Sequence, residues 1–185
     1  LAWGLQTHLY FAQQMLFAVP LLDPEIRRAA ARFPRLVLAG ACLPDLALAG
    51  GALGIRLFRG THQWAMLRRL AAARCDEERA MALGYASHLV ADVVAHHRFV
   101  PEHERRVADV AHATHALCEW AMDDYLKPWV CATPGELLQK ERRPLGQFVS
   151  RRWRCSEPLA LRAIDWLSGA DRLLRAARLP RLCGA

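Results

Sequence analysis

The stretch at residues 84–101, GYASHLVADVVAHHRFVP, sets His88, Asp92 and His96 four residues apart among Leu89, Val90, Ala91, Val93, Val94 and Ala95. An α-helix advances about 100° per residue, so the three side chains occupy a stripe roughly 80° wide and His97 points away from it. Apolar residues at every other position of the helical repeat mark a helix that is largely buried. Two imidazoles and a carboxylate on such a face lose their water on burial, and a shared divalent cation offsets that loss. The stretch therefore predicts a core helix with a metal site on its inner face.

The following segment repeats the pattern, with His115 and Glu119 four apart and His112 one turn earlier. Alone, a His-x3-Glu pair reads equally well as a side-chain hydrogen bond. Facing helices of a bundle, however, build metal sites from two such stripes. Apolar spacings of three and four recur along the chain while strand-like alternation is short or absent, so the class is all-α. Helices are predicted over residues 5–19, from the Asp23-Pro24-Glu25 cap to before Pro34, and from 62 to about 73 with Thr61 as cap. Others run from 77 to about 97 with Asp76 as cap, from 101 to about 125, and from 158 to about 178, with a capping box at Thr133-Pro134-Gly135-Glu136. The glycines at 40, 50, 51, 54 and 60, with Pro44, predict short turns in residues 36–60 that pass close to something.

With 185 residues, 54% of them apolar and 23% charged, the chain suits one globular domain over 1–185 and excludes disordered or collagen-like classes. The net charge of +7 is uneven: residues 141–185 hold ten arginines against four acids. Residues 125–185 thus read as a basic helical part, suited to an anionic surface or simply solvated. No signal peptide is read, since no basic residue precedes the apolar residues 10–22. Nor is residues 36–55 read as a membrane span, because a carboxylate at its centre, Asp45, costs about 2.5–3.5 kcal/mol in a bilayer. A cytoplasmic location is expected, or secretion if the N-terminus is processed; oligomeric state is left open. Six cysteines without a CxxC pair are expected as free thiols, and Trp64, Trp120, Trp153 and Trp166 as core residues.

Taken in order, Trp3-Gly4 with Thr7-His8, Leu43-Pro44-Asp45, Thr61-His62, His88-x3-Asp92-x3-His96 and His115-x3-Glu119 resemble the zinc-dependent phospholipase C family, whose fold is shared by the S1/P1 nucleases. The resemblance runs from residue 3 to about 124, and residues 125–185 add no motif to it. It implies a compact multi-helix bundle with two or three zinc ions (Zn2+) at the bottom of a cleft. By position, the Trp3 backbone, His8 and Asp92 would hold one ion, His62, His88 and a shared Asp92 a second, and His96, His115 and Glu119 a third. Asp45 would be a ligand or the general base that orients the attacking water. Two departures stand out: Leu1-Ala2 precede Trp3, whose amino group is a ligand in the family, and the third histidine of the long helix stands in unbroken register at His96, with His97 as the other choice. The implied activity is metal-dependent hydrolysis of a phospholipid or other phosphodiester; peripheral contact with an anionic membrane is an expectation from the basic residues 141–185 instead. The alternatives are an S1/P1-type nuclease acting on nucleic acid, or a non-catalytic zinc-stabilised helical binding protein.

Overall fold

Leu5, His8, Leu9 and Ala12, spaced three and four apart, are all buried, and this inward stripe defines α1 (Leu5–Ala18). The structure, a computed structural model, describes residues 4–99, 101–102 and 111–176, without the side chains of residues 99 and 111–118. Trp3 and His103, and the side chains of His112, His115 and Cys118, therefore lie outside the described residues. After α1 come a 3-10 turn at Val19–Leu21, α2 (Pro24–Arg32), α3 (Pro34–Gly40), a 3-10 turn at Leu43–Asp45, α4 (Leu46–Ala52) and another 3-10 turn at Arg56–Phe58. Then follow α5 (Trp64–Leu70), α6 (Asp76–Val94) with a π-helical turn at Ala95–Phe99, α7 (Ala111–Leu126), α8 (Pro134–Lys140), α9 (Arg142–Trp153) and α10 (Glu157–Ala176). The protein is all-α, with no strand among the described residues.

Helix α6 is the hub, with α1, α2, α3 and α5 packed around it, while α10 gathers α4, α8 and α9. At the crossing of α3 and α6 the two backbones touch through glycines. A Cβ on Gly84 would strike the Val37 carbonyl and come within 2.8 Å of the Ala41 amide nitrogen, and one on Gly40 would strike the Met81 carbonyl. Small residues here let the helices approach as closely as backbone atoms allow. The segment Pro34–Ala52 is long and apolar enough to cross a membrane, but Pro44 and Asp45 interrupt it and 72% of it is buried within the bundle.

Two expected caps work differently. Asp23 accepts from the Glu25 amide at 2.9 Å and Thr133 from the Glu136 amide at 3.4 Å, as their sequences predict. Asp76, by contrast, is the first residue of α6, behind Cys75 as cap, and its carboxylate pairs with Arg28 at 3.2 Å and Arg79 at 3.4 Å. Helix α5 starts at Trp64 rather than 62, with Gln63 as its cap, because the Thr61 hydroxyl is engaged elsewhere. Helix α9 has no counterpart among the predicted elements; Pro144 lies in its first turn, where a missing N–H is tolerated, and Leu145, Phe148 and Val149 face the core.

Four arginines of the basic C-terminal part are tied into the fold. Arg142 forms a forked pair with Asp165 at 2.7 Å, Arg175 pairs with Asp171 at 2.9 Å, and Arg151 (3.1 Å) and Arg152 converge from α9 on the buried Glu78 of α6. Arg142, Arg151 and Arg152 thereby hold helices together, whereas the Arg175 pair lies within α10. Among the described thiols Cys42, Cys75, Cys131 and Cys155 are free. Trp153 is buried, as expected, whereas Trp64 is 49% exposed and lines a pocket.

Candidate metal centre

His8 on α1 and His88 on α6 are both fully buried, and their rings stack with centroids 3.4 Å apart and planes 10° from parallel. An α1 that packs directly on α6 brings them together, because each occupies an inward position among apolar neighbours. Asp92 lies between the histidines: its Oδ1 is 3.4 Å from His8 Nε2, while its Oδ2 is 3.3 Å from His88 Nε2 and 3.6 Å from His62 Nε2. Asp45, at the end of the Leu43–Asp45 3-10 turn, sets Oδ1 3.4 Å from His62 Nε2. His62 Nε2 and His88 Nε2 are 3.2 Å apart. Two overlapping groups result, His8 with His88 and Asp92, and Asp45 with His62 and His88.

The orientation of His88 is fixed by a 2.7 Å contact from Nδ1 to the Ala41 carbonyl. A carbonyl only accepts, so Nδ1 carries the hydrogen and Nε2 is the nitrogen turned towards Asp92 and His62. A ring nitrogen donating to a backbone carbonyl while the other faces the centre is the arrangement of a metal-bound histidine. The ligand atoms also lie where a small cation needs them: bonds of about 2.0–2.1 Å in a tetrahedron put neighbouring ligand atoms about 3.3 Å apart. The contacts of 3.2–3.6 Å fall around that value.

Electrostatics agree with the donor set. Burial opposes a charged His88, but the hydrogen bond and charge of Asp92 and the charge of Asp45 outweigh it and hold the imidazole above its ordinary value. Burial pushes the Glu119 carboxyl up to about 8, and the charges of Asp45, Asp92 and Asp123 add to the effect. The centre thus has an excess of negative charge that attracts cations, which fits zinc.

Supporting residues that the sequence left unread hold this arrangement. Tyr85, fully buried one turn before His88, donates its hydroxyl to the Thr61 carbonyl. The Thr61 hydroxyl in turn lies against the Pro44 carbonyl and, at 3.1 Å, that of Phe58. The residues preceding Asp45 and His62 are thereby bolted to each other and to α6. Removing the hydroxyl leaves a buried carbonyl unpaired, so Tyr85→Phe is expected to cost about 1–3 kcal/mol in denaturant unfolding, with weaker zinc uptake through a looser His62. An unchanged unfolding midpoint and zinc affinity would show that the bolt contributes nothing.

Asp123 supplies another support, from α7. It accepts from the Thr7 amide at 2.8 Å, the Thr7 hydroxyl at 2.6 Å and the Gln6 amide at 3.3 Å, so it caps the start of α1 from across the chain. Burial raises its carboxyl to about 6 despite these bonds. Gly4 permits the approach, since a Cβ there would collide with the Asp123 carboxylate. His8 follows immediately, so this cap anchors the turn that presents it.

Of the nine residues expected from the sequence, the structure brings together His8, Asp45, His62, His88 and Asp92. Glu119 is buried, while Trp3 and the side chain of His115 lie outside the described residues. His96 is not in unbroken α-helical register, because the π turn begins at Ala95 and inserts extra backbone into the repeat. His96 and His97, both exposed, consequently line the same pocket, although the ideal helix turned His97 away. That pocket, about 510 Å³, also takes in Asp45, His62 and Asp92 with Leu48, Trp64 and Val93. Of the apolar residues after Asp45, Leu46 belongs to the core and Leu48 to the pocket wall.

No curated protein and no solved structure matches the chain. A family model described as zinc dependent phospholipase C matches residues 7–153, past the end expected near 124 and through α9. With most of the chain matched and a histidine and carboxylate centre suited to zinc, the protein belongs to the zinc dependent phospholipase C family, hydrolases that act on phosphodiester bonds.

Proposed function

We propose that this zinc-dependent phosphodiester hydrolase acts on phospholipids, with His8, Asp45, His62, His88 and Asp92 as its working residues. The observation that carries the reading is the pocket itself: its floor is made of Asp45, His62 and Asp92, and its walls include Leu48, Leu89, Trp64 and Val93. A phospholipid has the same division, an anionic diester beside hydrocarbon. A nuclease needs cationic contacts along a strand and stacked bases. No arginine or lysine is among the described residues lining this pocket.

His88 has a single free ring nitrogen, so the two overlapping groups cannot both use it. In the proposed division His62 and His88 would hold one ion, His8 would help hold another, and Asp92, with Oδ1 near His8 and Oδ2 near His62 and His88, would serve both. The third ion implied by the family would fall to His96, His115 and Glu119. Zinc held there lowers the pKa of water from about 15.7 towards about 7 and offsets the charge of the phosphodiester. Asp45, buried and 3.4 Å from His62 Nε2, would orient the attacking water and receive its proton. Leu48, Trp64 and Val93 offer apolar contact on the side where the acyl chains would lie.

The test is hydrolysis by zinc-loaded protein of dispersed phosphatidylcholine and, separately, single-stranded DNA. Release of phosphocholine, lost with a chelator and restored by zinc, is expected, with the DNA left intact. Cleavage of the DNA and not of the lipid would replace this reading with the nuclease one.

A further inference from the structure

Five apolar side chains around the pocket mouth face solvent. Leu48 (41% exposed), Trp64 (49%) and Val93 (43%) line the pocket, and Val90 (54%) and Val94 (50%) stand beside Val93 on the exposed face of α6. Val90, Val93 and Val94 are three and four apart, so they share one face of that helix. Scattered exposed apolar residues are ordinary, but a continuous group beside a functional pocket marks a contact surface.

The charge of the adjoining chain identifies the occupant. Residues 46–75 contain five arginines and no acidic residue. The segment enters and leaves the pocket wall, through Ala47 and Leu48 at one end and His62 and Trp64 at the other. Arg56, Arg59 and Arg68 are exposed, and no ion pair ties them to other described residues; Arg98, also exposed, follows His97 directly. By comparison, Arg142, Arg151, Arg152 and Arg175 of the C-terminal part are each ion-paired within the fold. Apolar side chains with a tryptophan, flanked by unpaired arginines, match the interface of an anionic bilayer, where hydrocarbon begins just below negative headgroups.

We infer that the rim of Leu48, Trp64, Val90, Val93 and Val94, with Arg56 and Arg59, docks the enzyme on an anionic lipid bilayer, pocket towards the membrane. The inference rests on the phospholipid reading and adds where the enzyme meets its substrate: the lipid is drawn from the surface that the rim has already entered. The basic C-terminal part, which the sequence offered as the anionic-surface contact, is not needed for it.

Sedimentation of zinc-loaded protein with phosphatidylcholine vesicles, with and without phosphatidylserine, in short incubations on ice, tests the surface. Turnover of dissolved short-chain phosphatidylcholine tests the pocket separately. Wild type is expected to sediment with vesicles, more strongly when they are anionic. Arg56→Glu with Arg59→Glu should lower partition onto anionic vesicles roughly tenfold or more, at about 1 kcal/mol per basic residue. Val90→Ser with Val94→Ser should lower partition onto both kinds, and both pairs should keep turnover of the dissolved lipid. Wild type that cleaves dissolved lipid but does not sediment, or variants that sediment like wild type, would overturn the docking surface and leave the substrate reading standing. Sedimentation without cleavage of lipid in any form would instead overturn the substrate reading, and the inference with it. A dimer lost only in the valine variant, with sedimentation unchanged, would assign the face to a second copy of the chain and overturn the bilayer.

Discussion

Asp92→Asn is expected to abolish most turnover and to lower the zinc bound per chain. The substitution keeps the shape of the side chain, so packing on α6 survives, but it removes the charge and turns one acceptor oxygen into an amide donor. Both oxygens are in use: Oδ1 faces His8 at 3.4 Å, and Oδ2 faces His88 at 3.3 Å and His62 at 3.6 Å. An amide NH2 placed on either side would meet a nitrogen or repel a cation. Groups that merely orient metal ligands already contribute about 10–100-fold to affinity or activity, so a carboxylate shared between two ligand groups should contribute at least about a hundredfold. Metal content by plasma mass spectrometry and phosphodiester turnover, measured on the same preparation, check this. Full zinc together with full turnover in the variant would refute the assignment of Asp92.

Gly84→Ala is expected to have the largest effect on stability, about 3 kcal/mol or more, against the usual direction for glycine in a helix. Alanine in a helix interior is favoured over glycine by about 1 kcal/mol, and this gain operates at position 84 as elsewhere. The methyl group would, however, strike the Val37 carbonyl and the Ala41 amide, which are backbone atoms of the packed α3 region and cannot swing aside. The clash outweighs the propensity gain. It also pushes against Ala41, whose carbonyl orients His88 at 2.7 Å, so zinc affinity should fall along with stability. Gly169→Ala on α10 supplies the opposite sign: the position is exposed and nothing lies within 4 Å of the added carbon. That variant should gain up to about 1 kcal/mol, or roughly 2–4 °C in Tm for a chain of this size. Thermal unfolding of the two variants measures both signs; a Gly84→Ala protein as stable as wild type would mean that α3 and α6 separate freely.

Membership of a hydrolase family weighs against the non-catalytic bundle entertained from the sequence, and it leaves the substrate as the question that the lipid and DNA assays answer. The apolar walls that favour lipid become visible only in three dimensions. Leu46 and Leu48 are two residues apart and chemically alike, yet one is fully buried and the other is 41% exposed on the pocket wall.

The helical class was legible in the chain because its signal is local. Apolar residues three and four apart lie on one helix face whatever the helix packs against, and Asp23 caps α2 through an amide two residues away. His88 and Asp92 were legible for the same reason, being one helical turn apart, and His8, Asp45 and His62 through an order of motifs that resembles a family. What each polar group does at longer range was decided by tertiary structure. Asp76 has the chemistry of a cap yet pairs with Arg28 from α2, and Asp123 has no local mark of a cap yet serves α1 from 116 residues away. Thr61 locks the Asp45 turn instead of starting α5, and the π turn after Val94 brings His96 and His97 to one pocket. A carboxylate or hydroxyl bonds to whichever partner packing brings within about 3 Å, and that partner's position along the chain is unconstrained by the helical repeat.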